Sequence, residues 1–388
     1  MATLRLPVKD GPLALYTMGE PKDFGPAPEQ PHCRVAMAAP HMVSNPLAHT
    51  NPWTEPVVAW DDTLKYRRYL WGLGVGVAEA MDTSHRGSGL DWPTALKLIE
   101  LSIAESKDFP NAVLFSGAGT DHLDPGNAKT VSDVIAAYDV QCSAIEKMGG
   151  WIVLMASRAL AHVAKSPDDY AKVYDAVLSR VHKPVIIHWL GEMFDPRLAG
   201  YWGVSDPQEA MKNCLGVISA NAAKVEGVKI SLLDKDLEIK MRRRLPEGVK
   251  MYTGDDFNYP ELIAGDGEGF SHALLGIFDP IAPAVTGALS ALTSGDVDGF
   301  NDIMTPTIPL ARHIFRAPTQ YFKTGVVFMA YLNGHQPHFI MMGGQQSAHS
   351  LPYLADVFRL ADQAGLIADP DHAAAKMKTV MRLYGIEG

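Results

Sequence analysis

The sequence predicts an α/β fold, a (β/α)8 TIM barrel with an N-terminal arm and extra C-terminal helices. Three observations support this fold class. Short apolar runs alternate with helix-patterned stretches, as in a parallel sheet whose strands are joined by helices. Eight such units follow one another over about 260 residues, which is the size of a TIM barrel. Polar residues follow most of the apolar runs, where the mouth of such a barrel lies.

The division of the chain follows from this pattern. Residues 1–32 are rich in proline and glycine and are predicted to form an arm packed on the main body. Residues 33–295 carry the eight strand–helix units, so we expect them to form the barrel. Residues 296–388 have the pattern of further helices and are predicted to be a helical extension on the flank of the barrel or at a subunit interface.

The predicted strands are short and rich in valine, isoleucine and alanine. They are 34–40, 76–81, 112–116, 151–155, 184–189, 225–231, 249–254 and 269–273. The helices that follow them are 61–71, 92–106, 130–148, 167–181, 205–223, 234–245, 257–264 and 279–293. The extension adds 297–315, 320–333, 349–364 and 369–384. Helix starts such as Ser166-Pro167-Asp168-Asp169 combine an N-cap residue, an early proline and acidic residues in the first turn.

Composition excludes several function classes. The formal net charge of -10 disfavours nucleic acid and anionic membranes as partners. No apolar run approaches the ~18 to 20 residues of a transmembrane helix. The first ten residues lack the apolar segment of a secretory signal. The three cysteines are scattered, which predicts neither a disulfide framework nor a zinc site, and we expect a cytoplasmic protein.

Lys229 is the most informative single residue, because it lies inside the apolar run Val225-Glu226-Gly227-Val228-Lys229-Ile230-Ser231. Burying an ammonium group costs several kcal/mol unless it is paired or neutralised. A lysine whose pKa is lowered by such a site can act as a nucleophile that forms a Schiff base with a carbonyl substrate. The alternative is a lysine at a strand end that reaches into water.

Titratable and polar groups also gather at the ends of the other predicted strands. In a TIM barrel these ends form one catalytic mouth. The residues concerned are Glu79, Asp82, Thr83, Ser84, His85, Gly117, Asp121, His122, Arg158, His188, Glu192, Asp255, Asp256, Ser271 and His272.

The segment Gly227-Val228-Lys229-Ile230-Ser231 resembles the Schiff-base strand of the dihydrodipicolinate synthase/N-acetylneuraminate lyase family. Tyr252-Thr253-Gly254-Asp255-Asp256 and residues 264–271 follow at that family's spacing for its seventh and eighth strands. Residues 82–86 fall where the family has its Gly-Thr-Thr-Gly-Glu loop, and Ser116-Gly117-Ala118-Gly119 resembles its Gly-rich third strand end. The resemblance implies a divergent member, similar to a synthase-like bacterial branch of unknown function.

The departures from the family pattern concern the partners of the lysine. His188-Trp189 stands where the family has its proton-relay Tyr-Asn pair, and Thr83-Ser84 replaces its paired threonines. Ala156-Ser157-Arg158 replaces its Pro-Tyr-Tyr segment. We therefore expect this chain to keep the Schiff-base chemistry of the lysine and to use a different residue as the acid and base.

The resemblance implies a class I aldolase or lyase that cleaves or forms a carbon–carbon bond in a small polar keto acid or keto sugar. It implies no cofactor and a homo-oligomer, a dimer or tetramer. The predicted catalytic residues are Lys229, His188, Thr83 and Ser84. The predicted substrate-binding residues are Arg158, Asp255, Asp256, Gly117, Ser271 and His85. Arg158 is equally suited to a structural salt bridge, and one of the two aspartates to a helix cap.

Two other functions fit the same residues. The mouth has more carboxylates and imidazoles than a Schiff-base lyase needs, so a divalent metal such as Mg, Mn or Zn is an alternative. Its ligands would be Glu79, Asp121, His188 and Asp255, and the enzyme would be a metal-dependent sugar isomerase or aldolase. The second alternative is a barrel that binds a small molecule without catalysis.

Overall fold

The computed structural model describes residues 2–8 and 11–387, and at its centre is a closed barrel of parallel strands. The strands are β1 Thr3–Pro7, β2 Leu13–Thr17, β3 Ala36–Ala38, β4 Gly76–Glu79, β5 Leu114–Ala118, β6 Trp151–Leu154, β7 Val185–Leu190, β8 Val225–Ser231, β9 Lys250–Thr253 and β10 His272–Leu275. The barrel runs β3 to β10 in chain order and closes where β10 pairs with β3.

Helices surround this barrel and continue beyond it. They are α1 Trp60–Gly72, α2 Trp92–Ser106, α3 Val131–Lys147, α4 Arg158–Val163, α5 Pro167–Arg180, α6 Pro207–Ala220, α7 Lys235–Arg242, α8 Tyr259–Ala264, α9 Ala282–Thr293, α10 Val297–Met304, α11 Ile308–Ile314, α12 Lys323–Leu332, α13 Leu351–Gln363 and α14 Pro370–Leu383. Within the described residues, no helix is both long enough and apolar enough to cross a membrane.

The predicted fold class is confirmed. The predicted strand 225–231 coincides with β8. The predicted helix 297–315 is wrong as one element, because a short 3-10 turn at Thr305–Thr307 separates α10 from α11. The last barrel strand is displaced: the prediction was 269–273, and β10 runs from His272 to Leu275. The short helix α4 was not predicted.

The N-terminal segment forms an antiparallel hairpin of β1 and β2. Leu4 and Leu6 are buried among residues of the C-terminal helices, and the Tyr16 hydroxyl donates to Asp362 Oδ2 on α13 at 2.7 Å. One hydrophobic core joins this hairpin, the C-terminal helices and one side of the barrel. The boundaries at 32/33 and 295/296 stay predictions.

Side chains alternate between the inside and the outside of the barrel wall. The interior is filled mainly by one apolar cluster, in which Phe115, Val153, Ile186 and Leu274 come from different strands. On β7, Ile187 instead packs among the surrounding helices. The alternation therefore turns His188, the next residue of β7, towards the inside, at the level where the barrel opens.

A buried ion pair ties α1 to the barrel wall. Arg67 donates through Nε and Nη2 to Glu79 Oε2 and Oε1 at 3.0 and 2.9 Å, and both side chains have 0% exposure. The Ser102 hydroxyl and the amide of Ala80 also donate to this carboxylate. Arg67 further donates to the carbonyl of His41, so it links α1, β4 and the end of β3.

We expect Arg67→Ala to lower the free energy of unfolding by about 3–5 kcal/mol, because it leaves the Glu79 carboxylate buried without its counter-charge. Urea denaturation followed by circular dichroism measures this change. The matched control is Arg68→Ala on the same helix, since the ion pair of Arg68 with Glu105 is partly exposed and should contribute about 0–1 kcal/mol. Equal losses for the two variants would contradict the proposed importance of the buried pair.

Candidate active site

Lys229 lies near the carboxyl end of β8 and is 7% exposed. Gly254 makes room for it, since a Cβ at that position would lie 2.8 Å from Lys229 Cε. Burial lowers the pKa of Lys229, and the negative charges of Asp256 and Asp82 partly oppose this effect. The side chain is therefore a buried amine that faces two carboxyl groups.

The two aspartates after β9 have different surroundings. Asp256 accepts a hydrogen bond from the Ile277 amide at 2.9 Å, and burial raises its pKa to about 7 against the opposing charge of Lys229. Asp255 accepts from the Phe257 and Asn258 amides at 2.8 and 3.0 Å, which fixes the turn before α8. Asp256 is thus the aspartate that faces the lysine, and Asp255 has the structural role.

His188 on β7 is the register partner of Lys229 on β8. Its Nε2 lies 3.2 Å from the Ser231 hydroxyl oxygen, and its buried Nδ1 has no hydrogen-bond partner among the described residues. Burial, followed by the positive charge of Lys229, holds the pKa of His188 well below its usual range. The imidazole is therefore neutral at pH 7.

A cavity of about 310 Å³ opens at the carboxyl ends of β4 to β7 and is called the mouth cavity below. His188 lines it, whereas Lys229 lies beside His188 in the neighbouring strand. The polar residues around it include Asp82, Arg86, Thr120, Asp121, Arg158 and Asp195.

The predicted arginine Arg158 lines the mouth cavity from the start of α4. Its Nε donates to Asp195 Oδ2, and its side chain keeps 22% exposure. Gly117 has a structural role in the cavity wall: its carbonyl accepts from Arg86 at 3.0 Å, and a Cβ there would lie 2.8 Å from the Ala80 carbonyl oxygen. Arg158 is thus available to a ligand, while Gly117 is enclosed by the wall.

The segment after β4 is a short 3-10 turn, Asp82–Ser84. Thr83 is buried, and the Ser84 hydroxyl donates to the Pro40 carbonyl at 2.7 Å. His85 has left-handed backbone geometry, with φ of 64°, and its fully buried ring nitrogens have no hydrogen-bond partner within the described residues. Burial, with the charges of Lys323 and His41 next, lowers the pKa of His85 well below its usual range.

The residues named for the metal alternative do not converge. Glu79 is paired with Arg67, the Asp121 carboxylate accepts from Arg86 Nε at 3.0 Å, and Asp255 fixes its own turn. Across residues 2–8 and 11–387, no group of three or more His, Cys, Asp or Glu side chains is arranged to hold a metal ion. The residues present do not fit such a site.

The prediction that Ser271 belongs to the mouth is wrong in placement. Ser271 precedes β10, so it lies at the opposite, amino-terminal end of the barrel, where its hydroxyl donates to Glu238 Oε1 at 2.7 Å. The error follows from the displaced strand, since the apolar run continues through Leu274 and Leu275. The polar residue beyond the carboxyl end of β10 is Asp279, which lies 2.8 Å from His41 Nδ1.

Sequence reasoning missed three residues that surround the mouth. Ser231 contacts His188 and could have been found from the strand alternation, since it lies two positions after Lys229. Asp195 follows β7 and pairs with Arg158. Lys323 begins α12, far along the chain, and is buried near Asp82. No local sequence signal identifies Lys323 as a mouth residue.

Comparison with known proteins gives a family and a fold. The sequence model of the family described as "Protein of unknown function (DUF993)" matches residues 4–386. No curated protein matches the chain.

The structure is similar to solved structures from three organisms. YagE of Escherichia coli K12, a prophage protein of the dihydrodipicolinic acid synthase family in complex with pyruvate, has a TM-score of 0.66 at 13% identity, covering 86% of this chain and 99% of that chain. Dihydrodipicolinate synthase from Thermotoga maritima has a TM-score of 0.62 at 12% identity, with coverage of 86% and 99%. Dihydrodipicolinate synthase from Aquifex aeolicus has a TM-score of 0.59 at 12% identity, covering 91% of this chain and 98% of that chain. The predicted resemblance is confirmed as a likeness of fold.

We expect Glu238→Gln to stabilise the protein at alkaline pH and to have little effect near pH 4. Burial raises the pKa of Glu238 to about 8, so the folded protein holds a proton that the unfolded chain loses near pH 4.3. Stability of the natural protein therefore falls as pH rises between these two values, and an uncharged glutamine removes the loss. Above pH 8 the gain should be about 2–5 kcal/mol.

Denaturant unfolding at pH 4 to 9 measures this difference. The control is Glu209→Gln, because Glu209 is an exposed residue on α6 and its replacement should not change the shape of the pH profile. A difference between Glu238→Gln and the natural protein that stays constant with pH would contradict the raised pKa.

Proposed function

The chain belongs to the DUF993 family, described as proteins of unknown function, and we propose that it is a Schiff-base lyase of the class I aldolase type. The observation that carries the proposal is the buried amine of Lys229 inside the barrel, facing Asp256 and Asp82 and next to a neutral His188. An amine with a lowered pKa supplies the unprotonated nucleophile that imine formation requires. The substrate would be a small polar keto acid or keto sugar.

The proposed chemistry begins with attack of the Lys229 lone pair on the substrate carbonyl carbon. The carbinolamine takes up one proton from a neighbouring acid and loses the carbonyl oxygen as water, which leaves a protonated imine. In the cleavage direction a base removes the proton of the hydroxyl group on the β carbon. The bond between the α and β carbons then breaks, its electron pair forms the enamine, and the β carbon leaves as an aldehyde. In the opposite direction, the resulting enamine attacks an aldehyde. No cofactor is required in this series of reaction steps.

His188 is proposed to transfer protons to and from the carbon atom next to the imine carbon. Its low pKa keeps the ring unprotonated at pH 7, so one nitrogen is free to accept a proton. The Ser231 hydroxyl, within hydrogen-bond distance of Nε2, can pass that proton onward or orient the ring. Thr83, which is buried in the turn after β4, stays a predicted contributor.

The fold comparison supports a keto acid as the substrate class. YagE was solved in complex with pyruvate, and its barrel superimposes on this one at a TM-score of 0.66. Arg158 would hold a carboxylate in the mouth cavity, since a guanidinium can bind a carboxylate through two hydrogen bonds. The homo-oligomeric state and the cytoplasmic location stay predictions.

We expect sodium borohydride to trap a covalent adduct on Lys229 when the protein is incubated with small keto acids and keto sugars, starting with pyruvate and hydroxyacetone. Reduction converts the imine to a stable secondary amine, which intact-mass and peptide mass spectrometry detect and locate. Lys229→Gln should abolish the adduct, because it removes the nucleophile and keeps a similar side-chain length.

The buried lysine Lys323 is the internal comparison in the same experiment. An adduct on Lys323 with none on Lys229 would contradict the assignment of the nucleophile. Absence of any adduct across the panel would reject the imine mechanism and favour a barrel that binds its ligand without this chemistry.

We expect His188→Asn to slow exchange of the pyruvate methyl protons with deuterated water by about 10²–10⁴-fold relative to the natural protein. This exchange requires a base to interconvert imine and enamine, and proton nuclear magnetic resonance follows it without knowledge of the second substrate. Borohydride trapping on Lys229 should persist in the variant, since attack by the amine comes first. Unchanged exchange in His188→Asn would assign the proton transfer to another group.

A further inference from the structure

Lys323 is a second buried lysine at the mouth of the barrel, contributed by α12 of the C-terminal extension. It is 7% exposed, and its Nζ donates to the Gln320 carbonyl at 3.3 Å and lies 4.7 Å from the centre of the Phe322 ring. The surrounding charges are those of Asp82, Arg158 and Asp195. The mechanism proposed above does not use this ammonium group.

Lys323 borders a second cavity of about 230 Å³, called the Lys323 chamber below. Its other polar neighbours are Asp82, Arg86, Ser88, Arg158, Asp195, Arg197, Gln320 and Gln345. Arg158 and Asp195 line both this chamber and the mouth cavity that contains His188, so the two spaces adjoin. Since a water molecule occupies about 30 Å³ in the liquid, the Lys323 chamber has room for a phosphate or carboxylate group.

Positive charge exceeds negative charge around the chamber. Arg86 is already committed to Asp121, while Arg158 and Arg197 both donate to the single carboxylate of Asp195.

The buried ammonium group of Lys323 adds to this imbalance. Asp82 is the carboxylate whose charge acts most strongly on Lys323, and the charge of Asp82 also acts on Lys229. Since an uncompensated cation away from water is costly, an anionic ligand would be stabilised here.

We propose that the Lys323 chamber binds an anionic group, a phosphate or a second carboxylate, at the far end of a keto substrate whose carbonyl reaches Lys229. The orientation of that substrate rests on the proposed function, whereas binding of the anion itself does not. The chamber then selects extended anionic keto compounds over short ones, with Lys323 and Arg197 as the binding cations.

Titration of the chamber supports this role. Burial, together with the positive charge of Arg158, lowers the pKa of Lys323 to about 8 against the negative charges of Asp82 and Asp195. The other titratable group that faces Lys323 is His85, which its low pKa keeps neutral at pH 7. Lys323 is therefore mostly charged at pH 7 and loses its proton as pH rises through about 8, so anion binding should weaken over that range.

Calorimetric titration of the full chain with inorganic phosphate, and separately with malonate, tests the site. We expect Lys323→Gln to weaken binding at pH 7 at least tenfold, Lys323→Arg to retain it, and the exposed control Lys212→Gln to leave it unchanged. Binding of malonate, whose charge does not change in this range, should also fall between pH 7 and 9 in the natural protein, which needs no variant. Equal binding to Lys323→Gln and the natural protein, or no binding of either anion, overturns the proposal.

Borohydride trapping distinguishes this proposal from the Schiff-base function. It also distinguishes a phosphate from a carboxylate as the bound anionic group. Pyruvate has no second anionic group, so its trapping on Lys229 should not depend on Lys323. Trapping of 2-oxoglutarate or of dihydroxyacetone phosphate should fall at least tenfold in Lys323→Gln, and the more affected compound identifies the preferred anion. Lys323-dependent phosphate binding without any adduct would reject the lyase and retain the chamber.

Discussion

The pairing of β7 with β8 is the constraint on which the candidate site depends. A register shift between Val185 and Ile186 brings His188 opposite Lys229. Because side chains alternate along a strand, a slip of one residue would turn Lys229 out among the helices and bring an apolar neighbour inside. The apolar residues of both strands that pack against the helices therefore hold Lys229 and His188 inward.

Enclosure then determines the protonation states at the mouth. In an apolar surrounding the charged forms of acids and amines are both disfavoured, so burial raises the pKa of Asp256 and lowers that of Lys229. The pKa values of the two groups are therefore closer together than those of a solvent-exposed aspartate and lysine. The C-terminal extension contributes to this enclosure, since Gln345 donates to the Ser88 carbonyl at 3.0 Å beside the Lys323 chamber.

Local sequence patterns predicted the barrel and the position of Lys229, because strand periodicity and strand order are local properties. They failed where one apolar run had two possible registers. Ser271 was assigned to the mouth because the strand 269–273 was placed three residues too early, and the actual strand ends at Leu275. Lys323 could not be predicted, because its burial results from how α12 packs over the barrel and not from any pattern near it.

The carboxylates at the strand ends divide into two groups by their partners. Glu79 and Asp121 are each neutralised by a buried arginine, and Asp255 is held by backbone amides, so these three stabilise the wall and its loops. Asp82 and Asp256 act on the buried lysines instead, Asp256 on Lys229 and Asp82 on both Lys229 and Lys323. Groups with strongly shifted pKa values cluster at functional sites, and here Lys229, Asp256 and Lys323 are such groups. The division leaves no group of three metal-binding side chains among the described residues, and it leaves carboxyl groups beside the two lysines on which the proposed lyase and the proposed anion site depend.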